Sequence, residues 1–252
     1  MTLSACAELV RRGDPDRFLV AMAAPSEARA RLLPLYAFNL DIARAPWAST
    51  DPNIALMRLQ FWRDTLAEID EGRPARPHEV AQPLAGVMRD TGLSGALLDE
   101  MVVARWTDVD RTPFADAAKL GAYLGETGGT LMWASALALG AQAAQEPVLR
   151  RVGTAAALAA ILVAAPELAR RGWHVLPGSG LDSMIATARA DLAAAQRVNF
   201  QRAVPALRAA WRAEPILARA AADPAAIQAG GLEAPQAIRK LALIARTFTR
   251  RW

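Results

Sequence analysis

The chain has 252 residues, 53% of them hydrophobic, and a formal charge of +4, enough apolar material for one sizeable core. Ala dominates the apolar share, Val and Ile are sparse, only two Tyr and six Phe occur, and no run alternates with period two. That pattern excludes a sheet-based domain and predicts an all-α chain. The single cysteine, Cys6, excludes a disulfide framework and fits a reducing, cytoplasmic compartment. With only His78 and His174, far apart in sequence, neither a His/Cys zinc site nor a Ser-His-Asp triad is expected. Arg far outnumbers Lys, as a GC-rich bacterial genome would give, and acids lie between the arginines. No basic run with interleaved aromatics marks a nucleic-acid groove, and no nucleic-acid partner is expected.

A helix near Leu3–Arg12 opens the chain, stops at Gly13-Asp14-Pro15, and a second begins at Asp16. The early acids and the lack of a long apolar stretch argue against a secretory signal. Ser26 is a candidate N-cap for the next helix, which Pro34 should kink or break. From Ile54 to Glu71 a helical stripe of Leu59, Trp62, Leu66 and Ile69 ends at Gly72. Helices follow over Glu79–Asp90 and Ser94–Asp110, then Asp116–Leu124 and Thr127–Leu139, the last two divided at Gly125-Glu126. A long helix from Pro147 to Arg171 carries Pro166, and an Ala/Arg segment runs from Leu181 to Ala213. Two shorter pieces parted by Gly230-Gly231 close the chain, giving roughly ten helices in one domain over residues 1–252. The uncharged stretch Thr127–Gln145 is long enough to span a bilayer, but its Gly, Gln and Ala content suits a buried bundle helix better. The arginines of the tail, Arg246, Arg250 and Arg251 beside Phe248 and Trp252, suit a solvated helix end, with a peripheral contact at the inner membrane as the alternative.

Four pieces in order, LLPLYAFNLDIAR at Leu32–Arg44, LQFWRDTL at Leu59–Leu66, YLGETGGTLM at Tyr123–Met132 and ELARRGWHVLP at Glu167–Pro177, resemble the squalene/phytoene synthase family. The resemblance implies an all-α isoprenoid-synthase fold, a helical bundle around a central cavity. It also implies head-to-head condensation of prenyl diphosphates, which needs two Asp-x-x-x-Asp motifs on facing helices. That spacing puts both carboxylates on one helix face, where they hold the magnesium ions that grip the diphosphate. The first pair falls here on Ala43 and Trp47 and the second on Ala164 and Leu168, with only Glu167 left between them. A register shift of one or two residues restores neither pair.

No catalytic residue, cofactor or metal site is therefore expected; magnesium would enter only with an active prenyl synthase using displaced acids. Family members lacking the metal motifs, among them a mitochondrial assembly factor for respiratory complex I, resemble the chain better, which implies a protein partner, with complex I subunits as the candidates. The alternative is a binding protein that keeps the apolar cavity for an isoprenoid or other lipid. Candidate ligand- or partner-binding residues are Tyr36, Asn39, Asp41 and Arg44 on one helix and Glu167, Arg170 and Arg171 on another. Asp64 and Glu68 have metal-pair spacing, yet Arg58 and Arg63 beside them predict an ion-paired face. Asp108 and Asp110 read as an exposed helix end, and Trp62, Trp106 and Trp133 as core.

Overall fold

The computed structural model describes residues 3–233 and Trp252. Among them there are helices and loops and no strand. The helices are α1 (Leu3–Gly13), α2 (Pro15–Met22), α3 (Ser26–Arg44), α4 (Pro52–Asp70), α5 (Ala81–Thr91), α6 (Gly95–Ala104), α7 (Trp106–Asp110) and α8 (Ala117–Leu124). Then come α9 (Thr130–Ala138), α10 (Glu146–Arg170), α11 (Leu181–Ala195), α12 (Val204–Leu207), α13 (Ala213–Ala222) and α14 (Ala225–Gln228). Short polar residues set many of the starts. Asp14, Asp51, Ser94 and Asp116 each accept a backbone N–H from the first turn of α2, α4, α6 and α8. The N-cap of α3 is Pro25 rather than Ser26, and it offers no side-chain acceptor.

Helix α9 forms the middle of the bundle, with α3 on one side and α10 on another; eight of its nine residues are buried. The stretch Thr127–Gln145 thus contributes a core helix, as its composition suggests. A π-helical turn, Gly125–Gly129, joins α8 to α9 where two separate helices were expected. It presses so closely on α10 that a side chain on Gly128 would run into Ala157, and one on Gly153 would meet the turn's own backbone. Glycine is required there by contact and not by dihedral angle. Around this centre α1 and α5 pack on α3, α4 packs on α6, and α11 and α13 pack on α10.

Pro34 and Pro166 lie inside α3 and α10, and both helices run through them without a break. The expected helix Ser94–Asp110 divides at Arg105. The expected segment Leu181–Ala213 ends at Ala195 and continues as short turns. There Asn199 Oδ1 accepts the Gln201 N–H at 3.0 Å and Gln201 takes a left-handed φ of 45°, a conformation no helix continues through. Among the described residues one helical stretch, Ala143–Arg170, is long and apolar enough to cross a membrane, with a mean hydropathy of 1.8; it packs within the bundle. Trp252 is buried beside Phe200, whereas Arg246, Phe248, Arg250 and Arg251 lie outside the described residues, as does the piece expected after Gly230-Gly231.

Candidate functional site

The polar residues of α3 do not converge on one site. Residues 36, 43 and 47 share a helix face by their spacing of seven and four. Asp41 points elsewhere, toward α4, where its Oδ2 accepts the indole N–H of Trp62 at 2.7 Å. Two of the four quoted sequence pieces are thus tied to each other by one hydrogen bond. Phe38 and His78 stand edge-on to the same indole, at ring-centre distances of 4.9 and 5.3 Å. Asn39 is buried. Arg44 is exposed and lies against Gly13, where α1 and α3 approach most closely. Tyr36 is buried with its hydroxyl unpartnered, close to Ser135 and below the guanidinium of Arg17, which sits 5.8 Å from its ring centre. Burial raises its pKa, since a phenolate there would lose its hydration. Asp41 and Arg44 therefore serve the frame, and Tyr36 and Asn39 are the two that face the interior.

Trp47 meets the loop after α10 at the C-terminal end of α3. Trp47 closes a 3-10 turn, Ala45–Trp47, that continues α3. Helix α10 ends at Arg170 with Arg171 as its cap, and Gly172 follows with a left-handed φ of 86°. The N–H of Trp173 then returns to the carbonyl of Leu168 at 2.8 Å, and that of Gly172 to Ala169 at 3.0 Å, a Schellman ending. This folds Trp173 back so that its ring lies 6.3 Å from that of Trp47, while its indole N–H donates to the Thr112 carbonyl at 3.3 Å. Two guanidiniums lie over the Trp47 ring, Arg111 at 4.6 Å and Arg171 at 5.8 Å. Arg111 reaches it from a left-handed φ of 51°, an unusual conformation for a residue with a side chain. Where the resemblance implies carboxylates and magnesium, the chain sets an aromatic pair flanked by cations. Ala164 is half-buried and Leu168 packs on the core. Glu167 is half-buried between Arg170 and Arg171, accepting from Arg171 Nε at 2.6 Å, and this hydrogen bond holds its carboxyl below the ordinary range.

The squalene/phytoene synthase family model matches residues 10–251. The chain belongs to the squalene/phytoene synthase family. A dehydrosqualene synthase superposes with a TM-score of 0.69 at 14% identity over 98% of this chain and 95% of its own. A squalene synthase from Alicyclobacillus acidocaldarius gives 0.62 at 15% over 98% and 93%. At such identities these two establish the fold, the isoprenoid-synthase bundle expected from the sequence. Complex I assembly factor 6 of Bos taurus is 29% identical over 136 residues, 54% of this chain and 40% of that protein. The Rattus norvegicus protein of the same name is 26% identical over 174 residues, 68% of this chain and 52% of its own length. The matches thus span about half or less of those relatives.

The donor set does not fit the magnesium ions that this family's condensation uses. The four motif positions offer no oxygen, Glu167 is held by two arginines, and Asp41 is engaged by Trp62. Among the described residues no group of three His, Cys, Asp or Glu side chains comes together around a common point. Asp64 and Glu68 are ion-paired as expected, but with Arg76 and, for Glu68, Arg73; Arg63 turns instead to Asp99 at 2.9 Å.

Two expectations fail next to the mouth, the end of the bundle where Trp47 meets Trp173. Asp108 is 2% exposed, not a solvated helix end: Arg105 donates to it at 3.1 Å and to the Tyr123 hydroxyl at 2.7 Å. Desolvation raises the Asp108 pKa, while its Oδ1 and Arg105 Nε remain unpartnered. Tyr123 packs on Phe114, and Phe114 on Trp173, so this polar cluster sits directly behind the aromatic pair. The signal was present in the sequence, because residues 98, 101, 105 and 108 continue one helical stripe that starts as Leu98 and Met101. Trp106, expected in the core with Trp62 and Trp133, is 39% exposed beneath the Arg63 guanidinium, since the division at Arg105 turns it outward.

Proposed function

We propose that this chain is a non-condensing member of the squalene/phytoene synthase family that binds a protein partner and acts in assembly of the respiratory NADH dehydrogenase. The observation that carries the reading is the composition of the mouth. The four positions for metal-binding carboxylates hold Ala43, Trp47, Ala164 and Leu168, and the Trp47 ring is engaged by Trp173, Arg111 and Arg171. Without carboxylates to recruit divalent cations, a departing diphosphate would meet only the guanidiniums of Arg111 and Arg171, both already engaged by the Trp47 ring. The relatives named as complex I assembly factors support the partner, and its subunits are the candidates. The place of action would be the cytoplasmic side of the inner membrane, where such a partner is built.

The test pairs two measurements. Deleting the gene in its host should lower assembled NADH dehydrogenase activity, and a copy bearing the wild-type chain should restore it. Calorimetric titration of the purified protein with a long prenyl diphosphate should show no magnesium-dependent binding. Tight binding that requires magnesium, with intact dehydrogenase in the deletion strain, overturns the proposal; metal-independent binding turns it toward a lipid carrier.

A further inference from the structure

At the opposite end of α3 from Trp47, roughly 28 Å away along the 19-residue helix, the surface opens into a cleft of about 660 Å³. It lies between the first turns of α3, the end of α9 and the segment 201–208. That volume is within the range of small-molecule sites. Its charged lining is one-sided: Arg31, Arg202 and Arg208 stand against the single carboxylate of Glu27. Arg208 is only 7% exposed, so a cation is held in the wall of the cleft, and burial lowers its pKa from the ordinary value. Arg31 is fixed in place, donating to the Ala138 carbonyl at 2.9 Å and pairing with Glu27 at 2.9 Å. Gln201, on the same wall, is one of two described non-glycine residues with a left-handed φ. Strain of this kind persists where surrounding structure imposes it. Leu139, Val204 and Pro205 supply apolar wall beside the arginines.

From this we propose that the cleft binds a phosphate group carried on an apolar body. Arg31 is paired with Glu27 and Arg208 has a contact of its own, yet the lining keeps an excess of positive charge, which suits a phosphate dianion better than a single carboxylate. The apolar wall favours an esterified phosphate over the free ion. A membrane phosphatidic-acid headgroup and a soluble phosphate ester share this chemistry. The site is separate from the motif positions and does not depend on the assembly role.

The full-length protein would be titrated with dihexanoyl phosphatidic acid in monomeric form and with inorganic phosphate, and floated with phosphatidylcholine vesicles with or without phosphatidic acid. The soluble ester should bind saturably, more tightly than inorganic phosphate. Arg202→Gln should weaken it about tenfold, and Glu27→Gln, which removes the opposing charge, should tighten it about threefold. Both residues are exposed, so these variants keep the fold, whereas Arg208→Gln risks unfolding it. Flotation only with phosphatidic acid, lost in Arg202→Gln, identifies a lipid headgroup; binding of the soluble ester without flotation identifies a soluble ligand. Absence of binding by every probe, or affinities that both variants leave unchanged, overturns the site.

Discussion

Two regions built from the same sequence pieces behave differently. In the frame, Phe38, Asp41, Trp62 and His78 hold α3 against α4, and the carboxylate of Asp41 has a neutral N–H donor in a half-buried setting. At the mouth, Trp47 and Trp173 are held by stacking and by two guanidiniums, and behind them Asp108 keeps one oxygen unpartnered. The frame retains what the fold needs, while the positions aligned with the family's carboxylates hold Ala43, Trp47, Ala164 and Leu168. Resemblance along a chain can therefore survive through residues that position helices while the reactive groups between them are replaced. Asp41 illustrates the hazard: it lies two residues from a motif position, yet its bond to Trp62 gives it a structural task.

The sharpest way to break the comparison is to attack the frame. Trp62→Ala should cost about 3–5 kcal/mol, because a fully buried indole leaves a cavity and strands Asp41. Denaturant melts would read this as a lower midpoint at unchanged slope. Next comes the cluster behind the mouth. Arg105→Met leaves Asp108 buried beside no cation, at a cost of about 3 kcal/mol, and the double variant with Asp108→Leu should recover most of it. A double variant no more stable than the single one would show that Asp108 has other support. Trp62→Phe keeps most of the packing and removes only the N–H, so about 1–3 kcal/mol is expected. Trp47→Ala should cost about 2 kcal/mol or less, as the sum of one aromatic pair and two partly solvated cation–π contacts. If Trp47→Ala proves as costly as Trp62→Ala, the mouth is part of the frame and the distinction fails.

The fold was legible because helix signals are local: Asp and Ser caps, a 3.6-residue apolar period and glycine stops each act within a turn or two. Which residues stand at the metal-motif spacing is likewise a local matter of position along the chain. The mouth's geometry was not. Trp173 meets Trp47 only because Gly172 reverses the chain, and Arg111 reaches the same ring from a left-handed conformation that nothing in Asp110-Arg111-Thr112 announces. Asp108 was misjudged because a charged residue late in a helix is usually solvated. Its burial depends on Tyr123, fifteen residues away, and on an Arg105 partner that keeps the stripe polar. Ion pairing of Glu68 was anticipated in kind, but its partner Arg76 comes from the following loop and not from the same helix.

That loop gives the smallest effect, and it tests whether part-buried ion pairs belong to the frame at all. Arg76 donates to both oxygens of Glu68, at 2.8 and 2.7 Å, which ties the segment after Gly72 back onto α4. The hydrogen bonds from Arg76 hold the Glu68 carboxyl below its ordinary value of 4.5. A carboxyl whose pKa is lower folded than unfolded adds stability that is present above 4.5 and is lost as pH falls through the folded value. Glu68→Gln should therefore leave the midpoint near pH 7 slightly lower and flatten the acid limb of the stability curve below about pH 4.5. The pair is only partly covered, so salt should erase part of the difference. An acid limb identical in the wild type and Glu68→Gln would mean that the loop is held by Phe61 and His78 packing alone, and that the frame is apolar throughout apart from Asp41.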